Sequence, residues 1–593
     1  MDGTWDLSLL YSGFDDENIE KDIAVLNALT DREEAIYKKE YASDAELTAA
    51  LEEAADINEE KDALIEKLDS FASLTLATDA TNADAQKLMD RIEMMGVRLS
   101  MVYSEGTRLI GQIGDPDKLI ASSEKLSRIG FALKKRAEEA AHTPDANVQE
   151  WLLKMSLSGG SAFSTLRDKL DATHTVNYRG EELPLSAVRA LAYDADPAVR
   201  KDAYEAELAS YKKMEIPMAA CLCGVKGEAL TMIEAEHYDT VLDKTLDQSN
   251  MDRQTLDAMW TAIREYLPVF RKYLRKKGEL LGYKNGLPFY ELFAPVSMPG
   301  YTPRTYTVEQ AKEKLVYELS KFSPDMGAFI AHAFDNRWID MFPREGKGGG
   351  AFCSGLHSYD QSRVLTNFAG SFSDVSTLAH ELGHAWHNRC MKGLPFAMCD
   401  EPMPLAETAS IFNETLLADS VISAADDAEK LTLIENDLQN AAQTIVDIYS
   451  RFLFESNVIE ERKTHNPSAE ELCAMMLDAQ EQSYGDGLSA EFRHPYMWAC
   501  KSHYYYSGLS FYNFPYAFGQ LFGMGVFALY KKEGPSFEKK YNQLLRSCGS
   551  MNVRDVAAGV GIDVSSADFW RSALDVYTGE IDEFIALADS MLK

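Results

Sequence analysis

The stretch Leu378-Ala379-His380-Glu381-Leu382-Gly383-His384-Ala385-Trp386-His387 decides the reading of this chain. On a helix, residues four apart stand one above the other, so His380 and His384 reach a single cation together. Asp374 or Ser373 is suited to cap such a helix, and Val375, Leu378, Ala379 and Leu382 supply its buried side. Glu381 follows the first histidine by one position. That spacing puts its carboxylate beside the cation, not on it, where it can take a proton from a water. Zinc lowers the pKa of its water toward about 7 and polarises a carbonyl. The glutamate accepts the proton and passes it to the leaving group. With eleven histidines in 593 residues, chance produces H-E-x-x-H in about one such chain in a hundred. The pattern therefore outweighs a surface helix with satisfied histidines.

A catalytic zinc takes three protein ligands and keeps one position for water. Downstream runs Pro402-Met403-Pro404-Leu405-Ala406-Glu407-Thr408-Ala409-Ser410-Ile411-Phe412-Asn413-Glu414. Pro404 marks the approach to a new helix, on which Glu407, Ser410, Ile411 and Glu414 share a face. Glu407 is the best candidate for the third ligand. Glu414 is placed to buttress a ligand from behind, and His387 to support or pack beside the site rather than to ligate.

Upstream, Gly346-Lys347-Gly348-Gly349-Gly350-Ala351-Phe352-Cys353 leads into Ser362-Arg363-Val364-Leu365-Thr366-Asn367-Phe368. This predicts a glycine-rich turn and a short hairpin, whose edge can take an extended peptide through backbone hydrogen bonds. Cys353 falls near that edge, so thiol reagents are expected to inhibit. Elsewhere the chain reads as helix: Asp16 to Thr30, Leu47 to Phe71, Asp117 to Ala141, and a run opened by Asp196-Pro197. Lys284 to Thr307, with Pro288, Pro295, Pro299, Gly300 and Pro303, reads as irregular loop. A boundary between Gly180 and Asp196 divides a helical domain, residues 1–190, from a catalytic domain, residues 191–593.

Ninety-four acidic against 59 basic residues give a net charge of −35. That field repels phosphate backbones and anionic bilayers, so neither nucleic acid nor a membrane is an expected partner. The opening Met1-Asp2-Gly3-Thr4-Trp5-Asp6 carries no secretory pattern, and no apolar run approaches the roughly 18 residues that span a bilayer. Eight scattered cysteines without a C-x-x-C pair fit reduced thiols in a cytoplasm.

Together, His380 to His387 and Glu407 to Glu414 resemble the M3 family of metallopeptidases, and within it the oligoendopeptidase F branch. The opening Trp5-Asp6-Leu7-Ser8-Leu9-Leu10-Tyr11, the segment Asn367 to Val375, and Phe511-Tyr512-Asn513-Phe514-Pro515-Tyr516-Ala517-Phe518-Gly519 are similar to that branch as well. The resemblance implies a mainly α fold: two helical lobes around a deep channel, with a small β-hairpin beside the zinc helix. It implies one zinc per chain on His380, His384 and Glu407, with Glu381 as general base. It implies short unfolded peptides as substrates, cut internally. It also implies a late histidine–tyrosine set that binds substrate and steadies the oxyanion, here His503 and Tyr516, with Tyr512 beside them. Gly349, Gly350, Ala351 and Phe352 would hold the peptide backbone. An exopeptidase remains an alternative, distinguished by its failure on end-blocked peptides. A peptide-binding protein without catalysis is a second, but it has no need of His380, Glu381, His384 and Glu407 together.

Overall fold

The computed structural model describes residues 3–298 and 301–591. Met1 and Asp2 of the opening stretch, and Pro299 and Gly300 of the predicted loop, lie outside them. Helices dominate from Glu17 to Met591, with one two-stranded and one three-stranded sheet among the described residues. Three long helices begin the chain: Glu17–Tyr37, Asp44–Thr78 and Ala83–Gly111. Each starts on a side-chain cap, from Asp16, Ser43 and Asn82 respectively, which satisfies an amide that the first helical turn leaves free.

The expected single helix from Asp117 to Ala141 is instead three, Pro116–Ala121, Glu124–Arg128 and Gly130–Ala141. Two serines cause the interruption. Ser122 Oγ donates back to the Leu119 carbonyl at 2.7 Å, and Ser123 Oγ accepts from the Leu126 amide at 3.2 Å, so their side chains compete with the helical ladder. The hairpin Thr175–Tyr178 (β1) and Glu181–Pro184 (β2) is an addition to the expected elements. Its two-residue turn is Arg179-Gly180, both at positive φ, the backbone that matches strand twist. Val176, Leu185 and Val188 pack in one cluster with Phe454, Trp498 and Tyr504, so this region shares an interior with the second half of the chain.

The described residues of the region, 284–298 and 301–307, are irregular as expected, apart from one short turn at Phe289–Glu291. Beyond it lies the sheet that matters for the site. Ile339–Asp340 (β3) pairs in parallel with Gln361–Leu365 (β5), which pairs antiparallel with Phe352–Leu356 (β4). The order is β3-β5-β4, which leaves β4 at the edge. Asp360 closes the hairpin in the left-handed region at φ 54°. The glycine-rich turn before β4 is fixed by the buried Lys347 ammonium, which donates to the carbonyls of Phe342 at 2.9 Å and Thr366 at 2.5 Å. The helix Asp44–Thr78 and the turn that follows it hold it from the other side: Gly348 N–H donates to Ala77 O, and Ala80 N–H to Gly346 O, both at 2.8 Å.

One helix, Glu215–Ala235, has the length and mean hydropathy of a membrane span, against the expectation that no such run exists. Its Met218, Cys221 and Leu222 are buried in the cluster around Trp498, and its Lys226 is buried against Glu455.

Candidate metal centre and the aromatic cluster beside it

The histidine helix spans Phe372–Cys390. Its cap is Ser371, not Asp374 or Ser373: Ser371 Oγ accepts from the Asp374 amide at 3.1 Å while the Asp374 carboxylate accepts from the Ser371 amide at 2.8 Å. This reciprocal box satisfies two free donors at once. Val375, Leu378, Ala379, Leu382, Ala385 and Trp386 form the buried stripe, at the spacing of one helical face.

The glutamate helix, Thr408–Ala424, crosses it closely. Gly383 permits the approach, since a Cβ there would stand 2.5 Å from the Ala409 carbonyl oxygen. Asn413 Nδ2 donates to Ala379 O at 3.3 Å and ties the two helices next to His380. Glu407 is the residue just before this helix, following the short turn Met403–Ala406 that Pro404 opens.

Three donor atoms converge. His380 Nε2 and His384 Nε2 are 3.2 Å apart, and Glu407 Oε2 lies 3.3 Å from the first and 3.5 Å from the second. Ligands about 2.0–2.1 Å from a tetrahedral zinc stand roughly 3.3 Å from one another, so the group has the chemistry and the size of a zinc site. It is the one such group of three among the described residues. Glu414 Oε1 meets His380 Nδ1 at 2.7 Å, which fixes the ring with Nε2 toward the group. Ser410 Oγ donates to Glu407 Oε2 at 2.8 Å.

Burial works against charge at each of these groups. It pushes the His380 imidazolium down, but Glu414, Glu407 and Glu381 carry its pKa up to about 9. Burial pushes the Glu407 carboxyl up, and the two histidines and Ser410 bring it down to about 2. Glu381 is 5% exposed, and burial raises its pKa, helped by Glu407 and Glu414 and opposed by His380 and His384. A carboxylate raised toward neutrality is a better proton acceptor. His387 is not part of the group. It is buried, its Nε2 meets Leu545 O at 3.1 Å, and its Nδ1 has no hydrogen-bond partner. Burial pushes the Cys353 thiol well up, and the Glu381 charge adds to this, which argues against the expected thiol reactivity.

A second group stands alongside. His503, Tyr512 and Tyr516 form a triangle of rings, with centroids 5.5 Å apart for His503 and Tyr512, 5.9 Å for His503 and Tyr516, and 5.8 Å for the two tyrosines. Tyr516 belongs to the helix Phe514–Glu533, which is pressed onto the metal group. A Cβ at Gly519 would stand 2.8 Å from Glu407 Cβ, and one at Gly523 2.8 Å from Ile411 Cβ. Burial, Tyr512 and the Glu407 charge raise the Tyr516 phenol pKa, so it stays a donor. Burial and the cations Arg451, Lys501 and Arg167 lower His503 to about 4, so it is neutral at physiological pH.

The remaining predicted residues lie on the sheet side. Gly349 and Gly350 are exposed in the turn, where Asn367 Nδ2 donates to the Gly348 and Gly350 carbonyls at 3.1 and 2.8 Å. Gly350 has φ 78°, which only glycine adopts at no cost. Ala351 leads into β4, and Phe352 opens it, paired with Leu365 and 37% exposed. Sequence reasoning missed the roles of Ser410, Asn413 and the three packing glycines. The small-residue spacing Gly519 to Gly523 was the available signal for a close helix crossing.

The sequence model of peptidase family M3 matches residues 190–576. The chain belongs to peptidase family M3. Curated relatives extend the likeness over nearly the whole chain. The group B oligopeptidase PepB of Streptococcus agalactiae serotype III (strain NEM316) is 24% identical, covering 98% of this chain and 96% of its own. An oligoendopeptidase F homolog of Lactococcus lactis subsp. lactis (strain IL1403) is 24% identical over 88% of each chain. The crystal structure of oligoendopeptidase-F from Enterococcus faecium has the same fold, with a TM-score of 0.72 at 19% identity, covering 98% of this chain and 100% of that one. The mainly α architecture is thus that of this family, and the protein is a metalloendopeptidase acting on peptides.

Proposed function

We propose that this M3 peptidase is a zinc-dependent oligoendopeptidase that hydrolyses internal bonds of short unfolded peptides in the cytoplasm. The observation that carries the reading is the convergence of His380, His384 and Glu407 with the buried Glu381 carboxylate on the next residue. One zinc per chain would be held by those three residues, and when bound it supplies Lewis-acid polarisation of the scissile carbonyl and a more acidic water. Glu381 takes the proton of the attacking water and hands it to the leaving amine. Tyr516 and His503, with Tyr512, offer phenol and imidazole donors to the oxyanion in a water-poor site. Glu414 keeps the His380 ring in place.

The substrate backbone would add itself to the free edge of β4, guided in by Gly349, Gly350, Ala351 and Phe352. Residues 1–190 would form the helical lobe facing the catalytic lobe, residues 191–593, across a channel that admits extended chains and excludes folded ones. The relatives' names, oligopeptidase and oligoendopeptidase F, support this size restriction. Eight free thiols are in keeping with a reducing compartment.

The test is an internally quenched, end-blocked peptide of about ten residues, long enough to lie along a strand. Cleavage that a chelator abolishes and one equivalent of zinc restores is the expected result. Zinc binding without cleavage of any end-blocked peptide, alongside cleavage of free-ended ones, would replace the reading with an exopeptidase.

A further inference from the structure

Tyr512 stands between two residues that are gripped from behind by charged groups. Both groups come from the helix Ile448–Arg462. Glu455 Oε1 accepts from the Phe511 amide at 2.9 Å. Arg451 donates from Nη1 to Asn513 Oδ1 at 3.4 Å. Residues four apart share a helix face, so positions 451 and 455 clamp the chain on either side of Tyr512.

These are interior charges. The Glu455 and Lys226 side chains are 1% and 0% exposed and meet at 2.6 Å. Arg451 Nε donates to Asp447 at 2.7 Å, and Tyr484 donates to the same carboxylate at 3.1 Å. Buried ion pairs are poor sources of stability, because desolvation offsets their attraction. Their presence directly behind this tripeptide needs another reason.

The backbone supplies it. Phe511 has φ 53°, the left-handed region, which is a true outlier for a bulky side chain. Strain of this kind persists only where the surroundings impose it. Here they do: the ring is 4% exposed and lies 5.4 Å from Phe452. Lys226 Nζ is 3.4 Å from Ser510 Oγ, and Thr245 Oγ1 donates to Ser510 O at 3.1 Å. The turn sends the Phe511 ring into the core and the Tyr512 ring out to His503 and Tyr516.

We propose that Arg451 and Glu455 are positioning residues for hydrolysis, holding Phe511 in its left-handed turn and Asn513 beside it so that the Tyr512 phenol is aimed at the substrate. This rests on the oligoendopeptidase reading and on the part it gives Tyr512. The experiment uses the full-length, zinc-loaded enzyme and two double variants in which the buried pair is neutral. Lys226→Met/Glu455→Gln keeps an acceptor for the Phe511 amide. Lys226→Met/Glu455→Leu removes it.

The first is expected to retain near-normal kcat. The second is expected to lose about 10- to 100-fold in kcat, with KM within about twofold and zinc content unchanged. Tyr512→Phe should lower kcat by a similar factor in the wild type and add nothing on top of Lys226→Met/Glu455→Leu, the non-additivity of residues acting as a unit. Equal kcat in the two double variants, or a further loss on adding Tyr512→Phe, overturns the proposal. So does a silent Tyr512→Phe in the wild type. Wild-type protein without metal-dependent cleavage would instead strike at the oligoendopeptidase reading. If the variant carrying Glu455→Leu does not fold, Phe511→Gly replaces it, since glycine takes the turn unstrained but leaves it free to swing. Unchanged kcat there overturns the proposal equally.

Discussion

The metal group and the aromatic cluster border the same helix, yet they are held in opposite ways. His380 and His384 come from one helix and Glu407 from the position that opens the next, the two pressed together where Gly383 leaves room, and their partners Glu414 and Ser410 sit one or two turns into that second helix. His503 comes from the short helical turn Ser502–Tyr505 and Tyr512 from the irregular chain before Phe514, where Glu455 and Arg451, distant in sequence, hold the residues on either side of it. Residues that hold one ion need set distances, which rigid helices supply well. In the proposed mechanism, oxyanion donors meet a group that exists only during the reaction, and they come from a short turn, an irregular segment and the first turn of a helix.

This contrast predicts that damage to the two regions separates cleanly into metal retention and turnover. The largest effect is expected from Glu381→Gln, about 10³-fold or more in kcat with zinc still bound. Near-normal turnover would remove Glu381 as the base. Next comes Tyr516→Phe, expected to cost about 100-fold in kcat with zinc content unmoved. Zinc loss in that variant, measured by metal analysis, would erase the distinction between the regions. Glu414→Gln should do the reverse, weakening zinc by about 10- to 100-fold in a competition titration while the zinc-saturated enzyme stays active.

The most gradual effect concerns pH. His380 carries its proton up to about 9, and a metal must displace that proton. Glu407 is ionised above about 2 and does not compensate. Zinc affinity should therefore fall as pH falls below about 9, approaching tenfold per unit from this one proton. A flat affinity between pH of about 6 and 8 would contradict the assignment of His380 as a ligand held by Glu414.

Much of the metal group was legible because its logic is local. The spacing of His380, Glu381 and His384, and the helical face from Glu407 to Glu414, are readable from helix geometry alone. The hairpin was legible too, since a glycine run followed by Val364 and Leu365 has few other uses. The cap lies two or three residues from where the sequence points, because Ser371 and Asp374 both suit an N-terminus and only their reciprocal bonds rank them. The break at Ser122 and Ser123 hid behind a continuous amphipathic pattern. The grip on Tyr512 was illegible for a different reason. Glu455 finds Lys226 from 229 positions away and Phe511 from 56, and no periodicity records such meetings.

The helix Asp44–Thr78 is fastened to the chain on both sides of β4. Its Ala77 carbonyl receives the Gly348 amide before the strand, and its Glu66 carboxylate receives the His357 and Ser358 amides after it. At 1.5 Å per residue, those two fastenings lie about 16 Å apart along the helix, the span of a five-residue strand. Helix and strand are therefore tied as a splinted pair. A peptide lying along the strand would feel the first helices as part of its own bed, and slower amide exchange in Asp44–Thr78 would report its arrival from across the molecule.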